Sequence, residues 1–185
     1  MDASLADVVA ALHDGGVVAY PTEAVYGLGC DPHNRDACAR LFAIKQRPTT
    51  QGVLLIAAEF AALLPYIDQG AVPAEAMARA VATWPGPHTW IFPRAPAAPA
   101  WLAGAHAGIA VRVTAHAPAA ALCRGFGGAL VSTSANRHGE PPALAADQVR
   151  AMFGDEVDAI LNGPLGGLER PTPIRDAISG MIVRS

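Results

Sequence analysis

Residues 34–57 read NRDACARLFAIKQRPTTQGVLLIA, and the succession inside this stretch decides the fold class. Asn34 is a good helix N-cap, because its short side-chain oxygen can accept from an otherwise orphaned backbone N–H. Over Arg35–Lys45, the residues Cys38, Leu41, Phe42 and Lys45 recur at helical spacing and predict a helix with one apolar face. The polar segment Lys45-Gln46-Arg47-Pro48 follows, and then Val53–Ala57 is continuously apolar, as in a strand buried on both faces. A helix that gives way to a buried strand through a polar connection is the repeating phrase of an α/β protein.

The same phrase recurs on both sides. Ser4–His13 predicts an amphipathic helix with Leu5, Val8, Val9 and Leu12 on one face and Gly15-Gly16 ending it. Val17–Tyr20 is a short apolar strand running into Pro21. Pro73 can open a helix reaching to about Trp84, since proline is tolerated in a first turn. His88–Phe92 and Ile109–Val113 read as strands, Pro118–Phe126 as a helix, Ala129–Ser132 as a strand and Ala145–Phe153 as a helix. Short strands are expected at Ala159–Leu161, Ile174–Ala177 and Met181–Val183, and a surface loop in extended conformation at Pro93–Pro99. Short strands spaced this closely predict a mixed sheet flanked by helices, with ligands beyond the strand ends.

At 185 residues the chain is expected to form one domain over 1–185. Hydrophobic residues make up 52% and charged residues 16%, but no apolar run reaches the ~20 residues that span a bilayer. The N-terminus carries Asp2 and Asp7 and no basic segment, so neither a signal peptide nor a membrane partner is expected, and the location expected is cytoplasmic. Cys30, Cys38 and Cys123 form no CxxC pair, which fits a reducing compartment. Cys30 and His33 lack a second ligand pair, so no metal site is expected. A net charge of −3 and a pI near 6.0 give no global field for nucleic acid, leaving only a local basic patch open.

Two polar clusters suit a phosphate-bearing ligand. In the first, Arg47 can make bidentate bonds to phosphate while Lys45 acts as a mobile point charge; the alternative is a basic helix end complementing its dipole. In the second, Ser132-Thr133-Ser134-Ala135-Asn136 leaves a buried strand with three hydroxyls and an amide; the alternative is a cap or Asx-turn leading into Gly139. Tyr20–Gly29 (YPTEAVYGLG) places a hydroxyl, a carboxylate and a phenol before two glycines. It reads either as a ligand loop or as a turn before the next helix with Tyr26 merely packed. Trp84 and Trp90 read as core or wall residues, scaffold rather than chemistry. Arg112, inside an apolar strand, must be paired or face a ligand. The P-loop, dinucleotide and serine-hydrolase signatures are absent from the sequence.

Taken in order, YPTEAVYGLGCDP (20–32), KQRPTTQGVLLIAA (45–58), WPGPHTWIFP (84–93), AVRVT (110–114), LVSTSAN (130–136) and IRDA (174–177) resemble the YrdC-domain family. The likeness is strongest to its short bacterial members that form threonylcarbamoyl-AMP. The resemblance implies a twisted, open mixed α/β sheet flanked by helices, with a positively charged cavity. It implies a nucleotidyltransferase that joins L-threonine, bicarbonate and ATP into threonylcarbamoyl-adenylate and pyrophosphate, for threonylcarbamoyladenosine modification of tRNA beside the anticodon. The family's K-x-R motif falls on Lys45 and Arg47 and its S-x-N motif on Ser134 and Asn136, as catalytic and ATP-binding residues, with Thr133 beside them. Threonine binding would fall to Thr22, Tyr26 and Arg112. Mg²⁺ would arrive with ATP, and a threonylcarbamoyl-transfer complex would accept the product, with weak RNA binding at most.

Gln51-Gly52-Val53 and Glu140 depart from the pattern of some relatives, which bears on nucleotide contacts after Gly139. The chain ends before the extra domain of the long form, so any lid is expected from loops within 1–185. Arg175 and Asp176 read either as nucleotide-side residues or as an ion pair. Two other functions remain open: a carbamoyl-adenylate synthase of the hydrogenase-maturation kind, and a non-catalytic RNA-binding or ribosome-assembly module. The acidic net charge and the lack of an aromatic-studded basic stripe weigh against the second.

Overall fold

In the computed structural model, which describes residues 3–169 and 173–184, the expected helix–strand succession is present. Ser4 and Asp7 cap helix α1 (Leu5–His13) reciprocally: Asp7 N–H donates to Ser4 Oγ at 3.2 Å, and Ser4 N–H to the Asp7 carboxylate at 2.9 Å. Strands β1 (Val18–Pro21) and β2 (Tyr26–Gly29) follow, then α2 (Arg35–Ile44) with Asn34 as its N-cap, and β3 (Leu54–Ala57). The chain continues through α3 (Ala74–Val81), β4 (Thr89–Pro93), α4 (Ala100–Ala103), β5 (Gly108–Val113) and α5 (Ala117–Phe126). It closes with β6 (Leu130–Ser134), α6 (Ala146–Phe153), β7 (Ala159–Ile160), β8 (Ile174–Asp176) and β9 (Ile182–Arg184).

The strands form one mixed sheet in the order β7-β1-β2-β6-β3-β5-β4-β8-β9. Its centre is β3, parallel to β5 and antiparallel to β6. The pleat then sorts side chains between two faces. Leu55, Val111, Val131 and Leu28 join the larger core, with Leu41 and Phe42 of α2 and Val149 and Phe153 of α6. On the opposite face α1 and α5 cover β1 and the adjoining ends of β3 and β6, through Val8, Leu12, Tyr20, Ile56, Leu122 and Leu130. Each such fully buried aliphatic side chain contributes about 1.5–3 kcal/mol of transfer free energy. Further along that second face the register aligns Gly27, Ser132 and Ser134, Leu54, Ala110 and Arg112, and Thr89 and Ile91.

Three expectations need correction. Tyr26–Gly29 is a strand, not part of a turn; its two glycines serve close packing and have no positive φ. The helix opened by Pro73 stops at Val81, where Ala82 caps it, and Trp84 belongs to a turn with a cis Trp84–Pro85 bond. Pro93–Pro99 is not a plain surface loop: Arg94 bridges to Ile67, its guanidinium donates to Ala98 O at 2.5 Å, and Ala98 is buried.

Candidate active site

Where α1 and α5 stop covering the sheet, the same face floors a cavity of about 830 Å³. Alternation in Gly108-Ile109-Ala110-Val111-Arg112-Val113 explains much of its shape. Ile109, Val111 and Val113 point to the core, while Gly108, Ala110 and Arg112 line the cavity and leave room beneath Arg112. Gly27, Ser132, Ser134, Leu54, Thr89 and Ile91 complete that floor.

One wall is built by the end of α2. Lys45 is its C-cap, Gln46 takes φ +51°, and the chain turns back through Gln46 N→Ala43 O (3.0 Å) and Arg47 N→Phe42 O (3.0 Å). This is a Schellman turn with glutamine in the left-handed position that glycine normally fills. It sends Lys45 and Arg47, one residue apart, toward β6. Lys45 Nζ donates to the main-chain carbonyls of Ser134 and Asn136, the latter at 2.8 Å. Arg47 Nη1 donates to Thr133 Oγ1 at 3.1 Å, and its Nη2 to Gly52 O at 2.8 Å. Burial, and secondarily the Arg47 charge, lower the Lys45 pKa to about 8.

Ser134 Oγ donates to Asn136 Oδ1 at 2.6 Å, and Asn136 Nδ2 donates to Arg137 O and Glu140 O, both at 2.9 Å. Asn136 therefore shapes the turn after β6, and Glu140 enters that turn through its main chain. Opposite, Thr22 lines the cavity, and its Oγ1 donates to Val25 O at 2.7 Å, a bond that leaves the hydroxyl its capacity to accept. Glu23 and Arg112 lie beside it as a loose pair, Nη1 to Oε2 3.8 Å apart.

Seven of the residues singled out from sequence thus line one cavity: Thr22, Lys45, Arg47, Arg112, Thr133, Ser134 and Asn136. Tyr26 does not. The pleat that aims Gly27 at the cavity turns Tyr26 to the other face, where its buried hydroxyl donates to Gly163 O at 2.9 Å. Glu23, Thr89, His106 and His138 line the cavity without having been assigned. Glu23 was visible only as a carboxylate in a polar loop, because its partners lie about ninety residues away in sequence. Arg175 and Asp176 do not line the cavity; the Asp176 carboxylate accepts from Ser179 N–H (2.7 Å) and Oγ (2.8 Å), closing the β8–β9 hairpin. Cys30 Sγ packs 3.7 Å from Cys38 Sγ, while His33 Nε2 is bonded to the Tyr66 hydroxyl at 2.8 Å.

Among the described residues, then, the wall carries Lys45, Arg47 and Arg112 against one carboxylate, Glu23. Such a site can hold an extended anion at one end and a small polar molecule at the other. No described helix is long and apolar enough to cross a membrane.

The Sua5/YciO/YrdC family model, described as telomere recombination, matches residues 10–185. A threonylcarbamoyl-AMP synthase of Coxiella burnetii is 52% identical over 98% of this chain and 96% of its own length. A threonylcarbamoyl-AMP synthase of Halorhodospira halophila is 57% identical over 95% and 91%. Among solved structures, the Sua5 protein of P. abyssi complexed with L-threonine superimposes with a TM-score of 0.86 at 29% identity. That match covers 93% of this chain and 50% of the Sua5 chain, so this protein spans about half the length of that relative. E. coli YciO superimposes with a TM-score of 0.84 at 26% identity, covering 98% of this chain and 88% of its own. With a family model over nearly its whole length and relatives above 50% identity, the chain belongs to the Sua5/YciO/YrdC family.

Proposed function

We propose that this protein is a nucleotidyltransferase that forms threonylcarbamoyl-AMP from L-threonine, bicarbonate and ATP. The supporting observation is the joining of Lys45 and Arg47 to the Thr133–Asn136 turn on one side of a cavity whose other side presents Thr22 and Arg112. The reading draws equally on the high identity to proteins named for that product.

The chemistry starts with the threonine amine attacking bicarbonate, which gives an N-carboxylate and water. A carboxylate oxygen then attacks the α-phosphorus of ATP, the bond to the bridging oxygen breaks, and pyrophosphate leaves. Two anions must approach each other, so catalysis is mainly positioning and charge neutralisation, and no protein nucleophile is needed. Arg47 and Lys45 would grip the phosphates and stabilise charge on the departing pyrophosphate. The hydroxyls of Thr133 and Ser134, with Asn136, would orient the triphosphate. Arg112 and Thr22 would hold the threonine carboxylate and hydroxyl, with Tyr26 supporting the wall from behind. Mg²⁺ fits as a companion of the triphosphate. Glu23, the lining carboxylate, has one oxygen bonded to Thr114 and the Arg112 cation 3.8 Å from the other, which disfavours a metal there, so phosphate oxygens and water would supply the metal's ligands. The adenylate would pass to a threonylcarbamoyl-transfer complex acting on tRNA in the cytoplasm.

The test is pyrophosphate release from purified protein given ATP, Mg²⁺, L-threonine and bicarbonate, with each omitted in turn. Release that depends on threonine and bicarbonate is expected, and release indifferent to threonine overturns the reading. Arg47→Ala is expected to lower turnover by about 100-fold or more, because it removes the bidentate phosphate donor.

A further inference from the structure

Glu23 is 7% exposed at the cavity wall, and its main-chain carbonyl and one of its two carboxylate oxygens are held. Its Oε1 accepts from Thr114 Oγ1 at 2.6 Å, and that hydroxyl in turn accepts from His116 N–H at 3.1 Å. Its main-chain carbonyl accepts from Leu168 N–H at 3.0 Å, and Gly166, whose N–H donates to Thr22 O, lies so close that a Cβ there would sit 2.8 Å from Glu23 Cα. The other carboxylate oxygen, Oε2, is buried with no hydrogen-bond donor, and Arg112 Nε is buried with no acceptor. The two groups stand 3.8 Å apart, beyond hydrogen-bond reach.

A buried carboxylate oxygen without a donor is costly, as is a guanidinium N–H without an acceptor, and each would be met by a partner of opposite sign. Closing the gap from Nη1 to Oε2 would satisfy the carboxylate and still leave Nε without an acceptor, and the Thr114 bond and the pinned main chain hold Glu23 short of it. A molecule carrying an ammonium and a carboxylate on neighbouring atoms supplies both missing partners. We propose that Glu23 is the anchor for the α-ammonium group of a free amino acid whose carboxylate is held by Arg112. Only the identity of that amino acid, threonine, rests on the proposed function. A fixed carboxylate facing a fixed guanidinium selects zwitterions over hydroxy acids and N-blocked amino acids, and it orients the nitrogen that must be carboxylated.

The alternative is that Glu23 only positions Arg112, and the two are separable. Binding of L-threonine and of (R)-3-hydroxybutyrate, which has the same skeleton without the amine, is measured by calorimetry on wild type and Glu23→Gln. Glutamine keeps an acceptor for Thr114 and removes the charge. The variant is expected to bind threonine about 10- to 100-fold more weakly, the loss of one charged hydrogen bond, with hydroxybutyrate and ATP unaffected. An equal loss for threonine and hydroxybutyrate, or no loss, overturns the proposal. Should Glu23→Gln fail to fold, the wild-type preference decides: a threonine-to-hydroxybutyrate affinity ratio near one overturns it. If wild type neither binds threonine nor releases pyrophosphate with it, but binds another free amino acid in a Glu23-dependent way, the proposed function falls and the ammonium anchor stands.

Discussion

Lys45 Nζ donates to the main-chain carbonyl of Asn136 at 2.8 Å, joining the end of α2 to the turn after β6 across 91 residues of sequence. The K-x-R and S-x-N motifs are therefore one structural unit, and under the proposed function a phosphate bound there would meet donors whose relative positions are already fixed. Lys45 is also the chain's single lysine, so its titration can be followed without overlap. Its pKa is lowered to about 8 by burial and the Arg47 charge, which keeps it protonated at pH 7 and lets it discharge in mild alkali. ATP affinity, measured without threonine, is expected to fall above pH 8 by up to about tenfold per pH unit. The ¹⁵Nζ resonance of the free protein should titrate with the same midpoint, and Lys45→Met should remove the limb. The linkage to stability has the opposite sense. From about pH 8 up to lysine's ordinary 10.5 the unfolded chain binds the extra proton, so Lys45 adds stability as pH rises through that window.

Gln46 provides a second test of how the site is held. It is exposed, its φ is +51°, and its N–H closes the Schellman turn that aims its two neighbours. Because the residue is exposed, Gln46→Gly should relieve backbone strain and stabilise the fold by about 0.5–1 kcal/mol. Gln46→Val places a β-branched residue in the left-handed region and should cost about 1–3 kcal/mol. Thermal denaturation of the two variants checks the signs. The glycine variant should also weaken ATP binding modestly, since a looser turn no longer presents Lys45 and Arg47 in one arrangement.

The α/β class and most element positions were legible in sequence because apolar periodicity and caps are local signals. Asn34 and the run 53–57 act within a few residues of themselves, whereas Ser4, read as part of the first helix, is its N-cap. Lys45, Arg47, Thr133, Ser134 and Asn136, which line one cavity, are legible for the same reason, as charges and hydroxyls bordering buried elements. What stayed hidden was non-local. Nothing near Glu23 signals that Thr114 and Arg112 will meet it, and nothing near Tyr26 tells which face of a strand it will occupy. The strand itself was obscured by Gly27 and Gly29, whose poor strand propensity is overridden by what surrounds them.

Those two glycines separate packing from function. A Cβ at Gly29 would sit 2.5 Å from Val131 O and 2.8 Å from the Tyr20 ring, both rigid parts of the sheet. At Gly27 the nearest atoms are Thr22 Cγ2 at 3.3 Å and Thr133 O at 3.5 Å, at the edge of the cavity. Gly29→Ala is therefore expected to lose about 2 kcal/mol or more of stability by forcing strands apart. Gly27→Ala should fold, with stability nearly unchanged, and raise the KM for threonine, because its methyl presses on Thr22. Urea denaturation together with steady-state kinetics distinguishes the two.

Tyr26 offers the sharpest separation of a wall residue from a binding residue. Its ring is buried on the far face of β2, and its hydroxyl both donates to Gly163 O (2.9 Å) and accepts from Gly163 N–H (3.2 Å). That bond secures the chain just before Gly166 and Leu168, whose N–H groups hold the main chain of Thr22 and Glu23. Tyr26→Phe keeps the ring and deletes the hydroxyl, leaving a Gly163 carbonyl and N–H unmet. Stability should fall by about 1–3 kcal/mol. At temperatures where the variant is fully folded, the KM for threonine should stay within about twofold of wild type, because no substrate contact is lost. A tenfold rise in KM without loss of stability would instead put the hydroxyl on the substrate, which requires β2 to present its other face to the cavity.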